Sequence, residues 1–219
     1  MLRMHLQDEP HGTACWLWAR GKCEDYMPGV PCGEPIDTTG TSRILAGKCD
    51  LFIPRFDAYD SEALFFRERQ AVGDTVWCYS CCYPEEPWWL NRFIDLPHIY
   101  TRLIYWACFS QKITGFLHWG FNAFGRASLY GIGPGARFKG DGYVVYPDAK
   151  HYAVRPSVRG LATAQGVEEC ELLMKLAKTD AALADTIGMS AARTFRDFEK
   201  DPAVLEAARV RLLTALDAE

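Results

Sequence analysis

Two carboxylates stand side by side at Asp8 and Glu9, directly before Pro10. They follow a short run, residues 2–7, that reads as a strand. A carboxyl pair at a strand end can divide acid–base labour: one stays ionised while the other is held protonated and donates to a leaving group. Successive strand residues point to opposite faces, so the two share a pocket only where the strand breaks, and Pro10 supplies that break. The competing reading is a solvated acidic turn with Asp8 as a helix N-cap. A second constellation is aromatic. Trp77 and Tyr79 share one face of a strand, and Trp119 and Asn122 lie at the end of another. Aromatic faces stack on apolar sugar faces and amides hydrogen-bond hydroxyls, so the set suits a carbohydrate cleft, with core filling as the alternative. Asp141 and Tyr146 fall in a glycine-rich stretch, where a turn residue and a packing residue are the plain readings. His118 alternates away from Trp119 and reads as a satisfied buried histidine. Cys78, Cys81 and Cys82 form half of a zinc pattern with no second pair at ligand spacing. Glu168, Glu169 and Glu171 read as a solvated helix face.

The elements that position these residues follow from pattern. Residues 13–26 read as a helix, 34–38 and 49–56 as strands, 61–72 as a helix, and 74–82 as a strand with alternating faces. Residues 96–111 are a strongly apolar helix opened by Pro97, and 113–119 a buried strand. Residues 120–156 are irregular and include Gly133-Pro134-Gly135 and Gly140-Asp141-Gly142; a stretch of that length is usually functional. The paired Trp88 and Trp89 cover a core edge or lid a pocket. Ser157 caps a helix reaching about residue 178, and two more helices, 180–199 and 202–216, close the chain. Strands alternating with helices imply βα units and a mostly parallel sheet. Five strands fall short of the eight, in about 250 residues, that a complete (β/α)8 barrel takes. The chain therefore corresponds to the last five-eighths of a barrel or to a smaller open α/β sheet.

Composition narrows the function classes. Of 219 residues 49% are hydrophobic and 24% charged, which argues against disorder. Lys and Arg number 24 against 28 Asp and Glu, and no basic stripe is visible, so nucleic acid is not an expected partner. No apolar run approaches the ~18 residues of a membrane helix, and residues 1–10 hold no apolar signal core. Nine cysteines is an odd number, and most of them read as small buried hydrophobes of a reducing compartment.

Six ordered segments resemble the catalytic domain of glycoside hydrolase family 123 and the related domain of unknown function 4091. They are LQDEPH (6–11), CDLFIPRFDAY (49–59), VWCYSCCYPEEPWWLNRFIDLP (76–97), ITGFLHWGFNAFG (113–125), GDGYVVYPD (140–148) and PSVRGLATAQGVEECELLMKL (156–176). The resemblance implies a (β/α)8 TIM-barrel type of α/β fold, incomplete here: residues 1–178 would supply strands four to eight with their helices, and residues 179–219 a helical extension packed on them. It implies a β-N-acetylgalactosaminidase-like glycosidase that uses the substrate's own 2-acetamido group as nucleophile, an exception to the two-carboxylate scheme. Carried over, Glu9 would be the general acid and Asp8 would orient the acetamido N–H. Tyr79, Trp119 and Asn122 would line the sugar subsite with Trp77 beside them, and Asp141 and Tyr146 would add substrate contacts. No metal or other cofactor is required. The implied partners are an amino-sugar glycoside and, to complete the barrel, a preceding barrel half or a second copy of the chain; no membrane partner is expected. Relatives are often exported, which leaves the compartment open. A catalytically inactive carbohydrate-binding remnant and a metal module around Cys78, Cys81 and Cys82 are the rival readings.

Overall fold

The run Leu51-Phe52-Ile53-Pro54 is apolar throughout and buried on both faces, as a strand between two parallel neighbours must be. This is a computed structural model, and it describes residues 3–124 and 140–217. They fall into two units.

The first unit holds residues up to Ser80 together with Ile113–Leu117. Its helices are α1 (Thr13–Tyr26), α2 (Thr41–Leu45), α3 (Phe56–Ser61) and α4 (Ala63–Ala71). Its strands are β1 (Gly33–Ile36), β2 (Leu51–Pro54), β3 (Thr75–Val76), β4 (Cys78–Tyr79) and β5 (Phe116–Leu117). β1 pairs with β2, β2 with β3, and β4 with β5, all parallel, and a parallel bridge joins Arg55 to Tyr79. Strand order thus follows chain order, with helices between β1 and β2 and between β2 and β3, as consecutive βα units require. Phe52 meets Phe65 and Phe66 edge-on, Tyr59 stacks on Phe66 at 5.5 Å, and Phe56 stacks on Phe116 at 5.8 Å. Each of these side chains that is fully buried, Phe52, Phe56, Tyr59 and Phe66 among them, contributes about 1.5–3 kcal/mol relative to leaving it in water.

Four expected elements differ here, one of them the buried strand expected over 113–119, of which only the half-buried pair Phe116–Leu117 forms a strand. The expected strand 2–7 reduces to one parallel bridge, Met4 to Cys32. Met4 makes both ladder bonds of that bridge, donating its N–H to Pro31 O at 2.8 Å and accepting from Gly33 N at 2.9 Å, but the next donor on that edge would be residue 35, which is proline and has no N–H. The expected strand 74–82 is split at Trp77 into β3 and β4, which pair with different neighbours. The expected helix 61–72 starts at Ala63 and follows the separate short helix α3.

The second unit holds Cys81–Lys112 and the residues from His118 onward. Helices α5 (His98–Ser110), α6 (Val158–Leu176), α7 (Ala181–Ala191) and α8 (Pro202–Asp217) pack together, and β6 (Val145–Asp148) and β7 (Ala153–Pro156) form an antiparallel hairpin. That hairpin lies within the stretch read as irregular; Gly133-Pro134-Gly135 lies outside the described residues. Ser157 caps α6 as expected, its Oγ accepting from Gly160 N at 3.0 Å, and Asp180 caps α7, accepting from Leu183 N at 2.9 Å. α7 stops at Ala191 instead of reaching residue 199, because Thr194 Oγ1 takes the Asp197 N–H in a local turn and Arg193 pairs in bidentate fashion with Asp197. Of the tryptophan pair, Trp89 is buried and Trp88 exposed.

Glu169 corrects the reading of a solvated helix face. It is 1% exposed and binds Arg102 through two hydrogen bonds, accepts from Trp106 Nε1 at 2.8 Å, and lies 3.1 Å from Arg209 Nε. Arg102 also pairs with Glu206, so one ionic cluster ties α5, α6 and α8. No described helix is long and apolar enough to cross a membrane.

Candidate active site

In the first unit, polar side chains collect where parallel strands end, the place where open and closed α/β sheets carry their ligand sites. Asp37 and Thr38 follow β1, Arg55 follows β2, Tyr79 ends β4, and Asp8 and Glu9 follow the Met4 bridge. Glu9 adopts a left-handed backbone, φ 47°, and this turn provides the break between the two carboxylates that Pro10 was expected to supply. The half-buried Glu9 accepts a hydrogen bond at Oε1 from the hydroxyl of Tyr79, itself 4% exposed. Asp8 is exposed and makes no side-chain hydrogen bond among the described residues. It does not cap α1; Gly12 holds the N-cap position without a side-chain bond.

Beside Glu9, Arg55 donates to Asp57 at 2.7 and 2.9 Å and lies 3.7 Å from Asp37. Burial opposes the Arg55 charge, but the hydrogen bonds to Asp57 outweigh it and push its pKa up. His11 lies 3.2 Å from Thr38 Oγ1 and 3.7 Å from Asp37 Oδ2. Ligand atoms of Glu9, His11 and Asp37 fall within 4.8 Å of one another. That is the described group near enough to share an ion, in place of the cysteine cluster suggested by spacing. The contacts to Tyr79, Thr38 and Arg55 already account for where these three groups sit. Trp77 is half-buried and lies over Gly115, where a Cβ would come within 2.5 Å of the indole.

Glu34 escaped the sequence reading. It lies inside β1, is fully buried, and takes the backbone N–H of Leu6 at 2.7 Å and of Gln7 at 3.4 Å, with His5 Nδ1 at 2.7 Å and the Cys32 thiol at 3.2 Å. Burial and the neighbouring Glu34 carboxylate push the Cys32 thiol far up. A lone carboxylate in an apolar strand was the available signal, as were Asp37 and Arg55 one residue past β1 and β2.

The second unit holds the other candidates. Asp141 is not an exposed turn residue. Its side chain is 3% exposed, and it accepts from Trp119 Nε1 at 2.6 Å and from His118 Nε2 at 3.0 Å. His118 Nδ1 accepts from Gly120 N at 3.2 Å, so the ring is a neutral Nε2–H tautomer. Burial lowers its pKa, and the nearby Arg92 guanidinium acts in the same direction against the Asp141 bond. Arg92, buried and itself pushed down to about 10 by burial, donates to Gly120 O at 2.8 Å. A Cβ at Gly120 would sit 2.5 Å from Gly142 O, so the two segments approach as only glycine permits. The result is an exposed indole with a fixed orientation: Trp119 is 60% exposed although its N–H is tied to a buried carboxylate. Asn122 is exposed and bridges Tyr143 through the backbone. Tyr146 packs edge-on to Tyr143 at 5.5 Å, and Arg159 donates to Tyr143 O at 2.7 Å. Burial holds the Cys81 thiol up at about 12.

The family model described as glycoside hydrolase 123, catalytic domain, matches residues 3–176. No curated protein matches the chain. Among the solved structures, a family 123 glycoside hydrolase from Clostridium perfringens, described for its hydrolysis of glycolipid glycans, superposes with a TM-score of 0.68 at 14% identity. The match covers 99% of this chain and 40% of that one, so the chain spans well under half the length of that enzyme.

Proposed function

The chain belongs to the glycoside hydrolase 123 catalytic-domain family, and from that premise we propose that it is a glycosidase acting on a terminal β-linked N-acetylhexosamine with retention and substrate assistance. The observation that carries this reading is the Tyr79–Glu9 hydrogen bond at the strand ends, with a free Asp8 beside it. Tyr79 occupies Oε1 of Glu9, which leaves Oε2 to hold a proton and deliver it to the glycosidic oxygen. As that C–O bond breaks, the acetamido carbonyl oxygen of the substrate attacks the anomeric carbon and closes an oxazolinium ring. Asp8, exposed and without a partner among the described residues, accepts from the acetamido N–H and stabilises the positive charge. Glu9, now a carboxylate, takes a proton from the water that reopens the ring. Within the first unit Trp77 supplies a flanking contact; in the second unit the exposed Trp119 offers an apolar face to a sugar, and Asn122 and Tyr146 are proposed as further sugar contacts of that unit.

The same reading makes residues 1–178 strands four to eight of a (β/α)8 barrel, with residues 179–219 a helical extension. The five parallel runs in chain order support it. The first three strands would come from a preceding barrel half or from a second copy of the chain.

The test is turnover of an aryl β-N-acetylgalactosaminide by the wild-type chain and by Glu9→Gln. The reading expects hydrolysis lost in the variant with the fold retained, and a substrate lacking the acetamido group left untouched. Equal turnover by Glu9→Gln, or equal rates on the plain galactoside, would overturn it.

A further inference from the structure

Glu34 has no part in the chemistry just described, yet it is the carboxylate most completely removed from water at this end of the first unit. A buried carboxylate is retained only where donors satisfy it. Three do, the N–H groups of Leu6 and Gln7 and the Cys32 thiol, and His5 Nδ1 at 2.7 Å is a fourth donor in its Nδ1–H tautomer. A carboxylate offers two acceptor oxygens to this set, whereas an amide offers one oxygen and turns a hydrogen toward the rest. The backbone donors are the telling pair. Pro35 ends the ladder that would otherwise hold this segment against β1, and the side chain one residue earlier takes over as acceptor. Gln7 is followed at once by Asp8 and then by Glu9 in its left-handed turn. Glu9 is therefore held from two sides: its head by the Tyr79 hydroxyl, and the base of its turn by Glu34.

We propose that Glu34 is a positioning residue, whose buried carboxylate replaces the missing strand ladder and sets the turn that aims Glu9 at the leaving group. The proposal rests on the reading of Glu9 as general acid for its kinetic arm, but not for its structural one. A carboxyl displaced by about 1 Å from its working position loses on the order of 100-fold in rate. That loss depends on the leaving group, because a departing phenolate that is already a weak base needs little protonation. A fold that is merely loosened lowers the active fraction, and so lowers the rate on every substrate alike.

The experiment uses Glu34→Gln in the whole chain, with phenyl and dinitrophenyl β-N-acetylgalactosaminides as probes. Expected is a kcat loss of about 100-fold on the phenyl glycoside and only a few-fold on the dinitrophenyl one, with KM within about threefold of wild type on both. Glu34→Asp, which keeps the charge but withdraws it by one methylene, falls between, and serves if the Gln variant does not fold. Glu9→Ala must show the same leaving-group contrast. If it does not, the reading of Glu9 has failed. If it does while Glu34→Gln and Glu34→Asp lose equally on both substrates, the positioning proposal is overturned. Hydrogen exchange decides the structural arm without any turnover. The Leu6 and Gln7 amides should lose protection in Glu34→Gln while those of β2 keep it; unchanged protection at Leu6 and Gln7 overturns the proposal.

Discussion

Replacing Asp141 by Asn removes one charge and one acceptor from a site where both are in use. Asp141 accepts from Trp119 Nε1 at 2.6 Å and from His118 Nε2 at 3.0 Å. An indole N–H can only donate, so it claims the one oxygen that Asn retains, and the Asn amide then points its own N–H at His118. His118 could escape by moving its proton to Nδ1, but Nδ1 already accepts from Gly120 N. One donor faces another donor in either arrangement. A hydrogen bond to a charged acceptor is worth about 1.5–3 kcal/mol, and an orphaned buried donor costs about 1–3 kcal/mol, so the overlapping terms give about 3 kcal/mol. At about 2–4 °C per kcal/mol for a chain of this size, Tm should fall by about 6–12 °C in a circular dichroism melt. A second melt series isolates the cause. In a Trp119→Phe background the indole donor is gone, Asn can give its oxygen to His118, and the Asp141→Asn loss should shrink by about half, the coupling a double-mutant cycle reads. A fall under about 2 °C, or the same fall in both backgrounds, refutes the argument that Asp141 fixes the Trp119 indole.

Two further outcomes follow from other buried groups. His118 has its pKa lowered from 6.5 by burial, so the unfolded chain binds its proton first. That contribution to stability is full above pH 6.5 and is lost as pH falls toward the folded value; wild type should lose more Tm than His118→Gln between pH 7.5 and pH 5, and parallel curves would refute the assignment. Glu169→Gln strips Arg102 of its buried partner and should cost about 3–5 kcal/mol in chemical denaturation, whereas Arg155→Ala, at an exposed pair, should leave the midpoint unchanged.

Local chemistry made much of the scaffold legible. The helix Thr13–Tyr26 matches its expected bounds, and Ser157 and Asp180 cap α6 and α7 because a side-chain oxygen beside orphan N–H groups needs no distant partner. The apolar run around Phe52 declared a buried parallel strand. Where expectation and structure part, a neighbour intervened. Pro35 cut short the first strand from across the ladder, and the Thr194 turn with the Arg193–Asp197 pair ended α7 early.

The sequence by itself determined the candidate acid pair, the aromatic residues and the βα order, because these depend on residue type, spacing and short-range pattern. Only the tertiary structure decided which charges are buried and what they hold. Glu169 and the exposed Glu171 stand two residues apart on one helix, yet Glu169 meets Arg102 across 67 positions. Glu34 meets Leu6 across 28, and Tyr79 meets Glu9 across 70. Whether a carboxylate is solvated or serves as an anchor turns on donors that long-range packing brings to it, and no local pattern carries that information.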